Sequence, residues 1–244
     1  MDNRYYFSKI NENKITIAEQ EFQHLTRVRR AKVGDEIVGF NGDGNDYLLK
    51  IVSIGKNLAE CELIDKKINL STKRPNISVY IASIKSEALN EALDNLTQLN
   101  IADITVFTSD YTNVKYDSSK IEKLKNHFIQ SCKQCERADL PSVKFIKFDH
   151  MIEELKQKDL VLFAYENAEE NFLEIKIKDY AKKSIALIVG GEGGFSSYEA
   201  DILSSLAKRV SLGKTILRAP VAVTAITSAV LSGIGEWHRW KYVF

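Results

Sequence analysis

The 244-residue chain has only three cysteines, and no second pair joins Cys132 and Cys135 to complete a four-ligand zinc site. His127 lies nearby, but the segment reads as helix, so no metal centre is expected. An odd cysteine count does not make a secreted disulfide framework, and thiols of a reducing cytosol are the natural reading. The start, MDNRYYFSKINEN, lacks the continuous apolar core of a secretory leader. Long apolar runs are missing too. The nearest candidate, 219–235, is interrupted by Thr224, Thr227 and Ser228 and is short for a membrane span. A soluble cytoplasmic protein without a membrane partner is expected. Net charge is nearly absent, at +1, so whole-molecule electrostatics announces no polyanionic partner. No internal repeat or low-complexity tract is visible.

Charge is instead distributed unevenly. No acidic residue occurs from Ile202 to Gly235, while Lys208, Arg209, Lys214 and Arg218 all fall there. Arg27, Arg29, Arg30 and Lys32 crowd a short N-terminal segment. Two basic patches on a nearly neutral chain fit local phosphate contacts. Solvated helix faces are the plain alternative for either patch taken alone.

The most informative stretch is LIVGGEGGFSSYE, 187–199. A β-branched run stops at four glycines set around Glu192, and Ser196-Ser197 with Glu199 then opens a helix, with Ser196 and Glu199 spaced as a capping box. Glycines at a strand end let backbone turn with positive φ and approach a flat ligand. Loops at the carboxyl ends of parallel strands are where open α/β sheets hold ligands. A second glycine turn, Ser211-Leu212-Gly213-Lys214, leads into Thr215-Ile216-Leu217-Arg218. It is not a P-loop, because Lys208 stands where the first glycine belongs. Nor is the first loop a dinucleotide fingerprint, because Ser196 replaces its third glycine. Another adenine-bearing ligand, or tight turns alone, remain as readings of the residues.

Organisation divides near residue 70. Before it, short-period runs at 4–7, 14–17, 36–40, 47–54 and 58–64 read as strands, with Asn41-Gly42-Asp43-Gly44 as a hairpin turn. A helix is expected over 18–28, with Phe22, Leu25 and Val28 on one face. Such a pattern suits a small β-barrel. Polar residues 69–76 carry no periodicity and mark a boundary. Beyond it, strand-like runs at 77–82, 104–107, 143–148, 160–164, 185–189 and Val210 are separated by helical patterns. Those helices fall at 86–99, 118–132, 151–156, 169–180 and 196–206, and a last one, rich in small residues, at 220–237. Alternating strands and helices imply a mostly parallel sheet covered on both faces.

VGGEGGFSSYE followed by SLGKTILRAPVA resembles the two C-terminal motifs of the RsmE family of SPOUT methyltransferases. RYYF at 4–7, HLTRVRRAKVGDEI at 24–37 and FNGDGNDY at 40–47 are similar to that family's PUA-like RNA-binding barrel. Gln134-Cys135-Glu136-Arg137 with Pro141 resembles a further motif. The chain departs from the family pattern at Gly191, where proline is usual, and at Pro220-Val221, where Glu-Thr is usual. Gln98-Leu99-Asn100 stands in place of Glu-Leu-Gly, and an arginine expected close to Ser109-Asp110 is missing.

The resemblance implies an α/β protein with a PUA-like β-barrel at 1–70, a linker at 71–75, and a trefoil-knotted SPOUT domain with a mostly parallel sheet at 76–244. It implies a homodimer that uses S-adenosylmethionine to methylate N3 of a uridine in small-subunit (16S) ribosomal RNA. Carried over by residue, the cofactor would meet Phe163, Ala164 and Tyr165 in one loop. It would meet Val189, Gly190, Gly191, Glu192, Gly193 and Gly194 in a second. Leu212, Gly213, Ile216, Leu217 and Arg218 would form the third. Arg218 is the catalytic candidate, steadying a developing uracil anion or its phosphate, with an ion pair to Glu192 or Glu199 as its plain alternative. Glu192 would hold its loop by accepting backbone N–H bonds. Arg4, Arg27, Arg29, Arg30 and Lys32 would hold RNA phosphates. The rivals are a non-catalytic RNA-binding or ribosome-assembly factor that kept the fold, and a small-molecule enzyme for another adenine ligand.

Overall fold

The computed structural model describes residues 4–117, 119–166, 168 and 175–237, and they fall into two units. The first comprises residues up to 73 together with 128–140; the second comprises 74–127 and the rest from 141.

In the first unit six strands form one sheet in the order β1-β4-β5-β6-β3-β2. They are β1 (Arg4–Tyr6), β2 (Ile10–Asn11), β3 (Lys14–Ala18), β4 (Glu36–Phe40), β5 (Asn45–Ile54) and β6 (Leu58–Ile68). Alternation sets the packing: Ile15 and Ile17 of β3 are buried, as are Tyr47, Leu49 and Ile51 of β5. With Tyr5, Phe7, Ile37, Ala59 and Cys61 these side chains share one core, so the sheet curls around its own apolar face. Gly42 and Gly44 take φ of +90° and +86° in the expected turn between β4 and β5. Segment 128–140 adds Ile129, Cys132 and Ala138 against Phe40 in a second small cluster. There Arg137, only 2% exposed, pairs with Asp139 at 2.9 Å.

The expected helix at 18–28 is shorter and changes pitch. It is α1 (Glu19–Gln23) continued by a π-helical turn over His24–Val28, closed by Arg29 N–H donating to the His24 carbonyl at 3.1 Å. The extra residue in that turn rotates Val28 off the face of Phe22 and Leu25. They are buried, whereas Val28 is 64% exposed.

The second unit carries β7 (Ile77–Ala82), α2 (Ser86–Gln98), β8 (Asp103–Thr108), α3 (Ser119–Gln134, which ends in the first unit's segment), β9 (Ser142–Lys147) and α4 (Phe148–Leu155). It continues with β10 (Leu160–Ala164), β11 (Ile185–Val189), α5 (Ser197–Leu206), β12 (Lys208–Val210) and α6 (Ala219–Ile234). Its sheet, β12-β10-β11-β7-β8-β9, is parallel throughout. Central strands β7 and β11 are buried along their whole length, as strands covered on both faces must be. Sequence order runs outward from β7 to β9, then resumes on the other side with β10, and β11 fills the place between β10 and β7. The carboxyl ends at that reversal are where such sheets leave a crevice.

Two helical expectations need correction. Of 169–180, residues 169–174 lie outside the described residues, and the remainder holds only a 3₁₀ turn at Ile177–Tyr180. The last helix stops at Ile234 rather than Trp237, because Gly235 adopts φ +86° and caps it in the left-handed conformation. No helix among the described residues is long and apolar enough to cross a membrane.

Candidate functional site

Three loops at the carboxyl ends of adjacent strands β12, β10 and β11 enclose a slot in the second unit. The loop after β11 is shaped by its glycines. A Cβ on Gly190 would sit 3.0 Å from the Phe195 ring, so glycine lets Phe195 fold back over the strand end. Phe195 then lies parallel to Phe107 at 6.3 Å and edge-on to Phe163 at 5.7 Å. Gly194, at φ +67°, turns the chain so that its N–H reaches the Gly191 carbonyl at 3.1 Å. The turn ends in the expected capping box: Ser196 Oγ accepts from Glu199 N–H, and Glu199 accepts from Ser196 N–H at 3.0 Å. Glu199 is buried, and its other oxygen takes Asp110 N–H at 2.9 Å.

The loop after β12 turns at Gly213, φ +122°, and ends at Arg218, after which Pro220 occupies the first turn of α6 without wasting a donor. Among the described residues the backbone N–H groups of Leu212, Ile216 and Leu217 make no hydrogen bond within the chain. Unpaired donors beside apolar side chains are what a flat heteroaromatic ring requires.

Of the residues expected to meet a cofactor, Ala164, Tyr165, Val189, Gly190, Gly191, Gly194, Leu212, Gly213, Ile216 and Leu217 line the slot together. Phe163, Glu192, Gly193 and Arg218 do not. Phe163 is fully buried in the core behind it. The Glu192 side chain is exposed and faces Lys85 at 3.8 Å, so no carboxylate of this residue braces the loop from within. A Cβ on Gly193 would point at Tyr111. Arg218, three-quarters exposed, faces Glu91 of α2 at 3.9 Å rather than Glu192 or Glu199.

Lys214 and Thr215, inside the expected 212–218 loop, line the slot as well, and sequence reasoning missed Glu166, Phe195, Ser211, Ala219 and Ala222, which also line it. Most adjoin residues that were expected, and Ala222 follows Ala219 by one helical turn, so spacing alone could have found it. Glu166 and Lys214 are the charged side chains of this lining. No cluster of metal-ligating side chains occurs among the described residues.

The basic segment belongs to the first unit. Arg27, Arg29, Arg30 and Lys32 are all exposed, and no carboxylate among the described residues pairs with their side chains. The π-helical turn and the positive φ of Arg30, +53°, fan them around a compact bend. Lys32 and Asp35 close that bend, Lys32 N–H donating to the carboxylate at 2.9 Å. Arg4 is not part of this surface. It is 8% exposed, bonded to Asp46, and its guanidinium carbon lies 4.9 Å from the centre of the Phe40 ring.

Comparison with known proteins agrees with both halves. A family model described as an RNA methyltransferase domain matches residues 72–231, and one described as an RNA methyltransferase PUA domain matches 17–64. Ribosomal RNA small subunit methyltransferase E of Rickettsia conorii is 34% identical over 239 residues, covering 95% of this chain and 96% of that protein. The chain belongs to the ribosomal RNA small subunit methyltransferase E family. Its fold is that of the SPOUT methyltransferases, with a PUA-like domain ahead of it in the sequence. The family member from Aquifex aeolicus is 26% identical over 93% of this chain and 98% of its own length. Among solved structures, the Neisseria gonorrhoeae family member bound to S-adenosyl methionine superimposes with a TM-score of 0.83 at 20% identity, covering 98% of this chain and all of that one. A methyltransferase of Legionella pneumophila with bound SAM gives 0.81 at 22%, covering 95% of this chain and 98% of that one.

Proposed function

We propose that this chain transfers a methyl group from S-adenosylmethionine to N3 of a uridine in small-subunit (16S) ribosomal RNA, acting in the cytoplasm. The observation that carries the reading is the meeting of three backbone loops, two of them turned by glycine, in one slot with unpaired N–H donors. Leu212, Ile216 and Leu217 would hold the adenine by backbone bonds and apolar contact. Glu166 and Lys214 would face the charged amino-acid end of the cofactor. Bound S-adenosylmethionine supplies a methyl group already activated on a sulfonium, so the protein has to align donor with acceptor and let the N3 proton leave. N3 lies on the Watson–Crick edge, so the target uridine must be unpaired or extruded.

Arg218 would steady the developing uracil anion or a neighbouring phosphate, exchanging its exposed contact with Glu91 for the RNA. Arg27, Arg29, Arg30 and Lys32 would bind RNA phosphates. The active form would be a homodimer: small residues recur each turn along α6, with Ala225, Ser228 and Ala229 half-buried and Ser232 exposed. Sedimentation equilibrium tests that assembly.

Titration calorimetry with S-adenosylmethionine and a tritiated-methyl assay on undermodified small-subunit RNA test the whole reading. Cofactor binding with label recovered at uridine N3 is expected. RNA binding without label would favour the non-catalytic assembly factor, and Pro220-Val221 in the first turn of α6 would then be the place to look.

A further inference from the structure

Tyr111 stands against Gly193, in the glycine turn whose other glycines border the slot, as an exposed aromatic side chain. It belongs to the loop after β8, at the same carboxyl edge of the sheet as the slot loops. That loop is fixed. Thr112 N–H donates to the Ser109 carbonyl at 3.0 Å and Ser109 N–H to Thr112 Oγ1 at 2.8 Å. Asp110 N–H donates to Glu199, and the Ser196 hydroxyl donates to Asp110 Oδ2. The loop is therefore tied to the capping box that closes the glycine turn.

The Tyr111 Cβ lies 3.0 Å from where a Cβ on Gly193 would be, so the absence of a side chain at Gly193 lets the tyrosine stand against the turn. Yet Tyr111 is 54% exposed. Among the described residues no second ring packs on it and its hydroxyl has no hydrogen-bond partner. A large ring held at a fixed root and more than half exposed adds little to the core and is free to stack on a base. It follows Ser109-Asp110, near which the family resemblance leads one to expect an arginine.

We propose that Tyr111 is the stacking platform for the acceptor base, a contact that positions the base without reading its identity. The proposal rests on the methyl-transfer reading of the slot. A base extruded from its helix has lost its stacking neighbours, and an aromatic side chain restores one face whichever base it is. Stacking also differs from phosphate contact in its salt response: the aromatic part of the affinity persists as counter-ions screen the lysine and arginine part.

The test compares the full-length protein with Y111F, Y111L and Y111A. Fluorescence anisotropy measures affinity for a short oligouridylate and for the same backbone with abasic ribose. Calorimetry measures S-adenosylmethionine affinity, and sedimentation measures self-association. The unaltered protein and Y111F should prefer the base-bearing strand about tenfold, as one stacked base supplies. Y111A and Y111L should bind both strands alike, with cofactor affinity and self-association unchanged. A preference that survives in Y111A or Y111L overturns the proposal. So does a change in cofactor affinity or self-association in Y111A, since either makes Tyr111 a structural or interface residue. If the unaltered protein transfers no methyl group but shows the preference and loses it in Y111A, the methyl-transfer reading falls and the platform stands.

Discussion

The curled sheet of the first unit exposes cationic side chains on a short bend, while the parallel sheet of the second exposes main chain at the ends of three strands. The first surface depends on what the side chains are; the second depends on glycines having none. Arg27, Arg29, Arg30 and Lys32 could be exchanged one by one without disturbing the fold beneath them. Gly190 and Gly194 could not, because one clears the Phe195 ring and the other holds a left-handed turn. The first unit's internal support is also electrostatic, with Arg137 paired to Asp139 and Lys133 to Glu21 in largely covered positions. The second is supported mainly by apolar strands.

The largest expected effect breaks that internal support. R137A removes the cation paired with the Asp139 carboxylate, 14% exposed, and should cost the first unit about 3–5 kcal/mol. Hydrogen exchange should rise in the strands of the curled sheet, and calorimetry should find cofactor affinity in the second unit little changed. Next, G194V forces a β-branched residue into φ +67°, which places roughly 1–3 kcal/mol of strain on the glycine loop. Cofactor affinity measured by calorimetry should fall by about tenfold or more while RNA binding persists. E199A removes the acceptor shared by Ser196 and Asp110 and should cost about 1–2 kcal/mol in thermal unfolding.

The combined variant R27A/R29A/R30A should leave stability almost unchanged. Its signature is a shallower dependence of RNA affinity on salt, the logarithmic slope dropping by about 2 for a single strand. The smallest effect concerns the thiols. Burial pushes Cys132 up to about 12 and Cys61 up to about 11, and it also raises Cys135. All three should stay protonated and resist a thiol-specific reagent at pH 8 in the native protein, then react on unfolding. Fast labelling of the native protein at that pH would contradict this.

Which strands and helices exist was legible because period and punctuation are local. β7, β10 and β11 have the bounds that their strand-like runs announce, and Ser196 with Glu199 announces the start of α5. Where a residue's role depends on distant neighbours, local pattern misled. Arg4 reads as a surface cation but is drawn inside by Asp46, forty-two residues away, and Phe40. Val28 reads as core until the π-helical turn rotates it outward. Arg218 finds Glu91 on α2, a partner that no spacing within its own loop could suggest.

Residue order by itself determined the alternation of strands and helices, the glycine turns, the cationic bend and the family motifs, since each is written in neighbours a few positions apart. Tertiary structure alone decided that β10 lies between β11 and β12, which gathers loops from three separate stretches of chain into one slot. It also decided that 128–140 joins the first unit. Hydrogen bonds between strands and the burial of apolar faces act across any separation along the chain, so their outcome is a property of the folded whole.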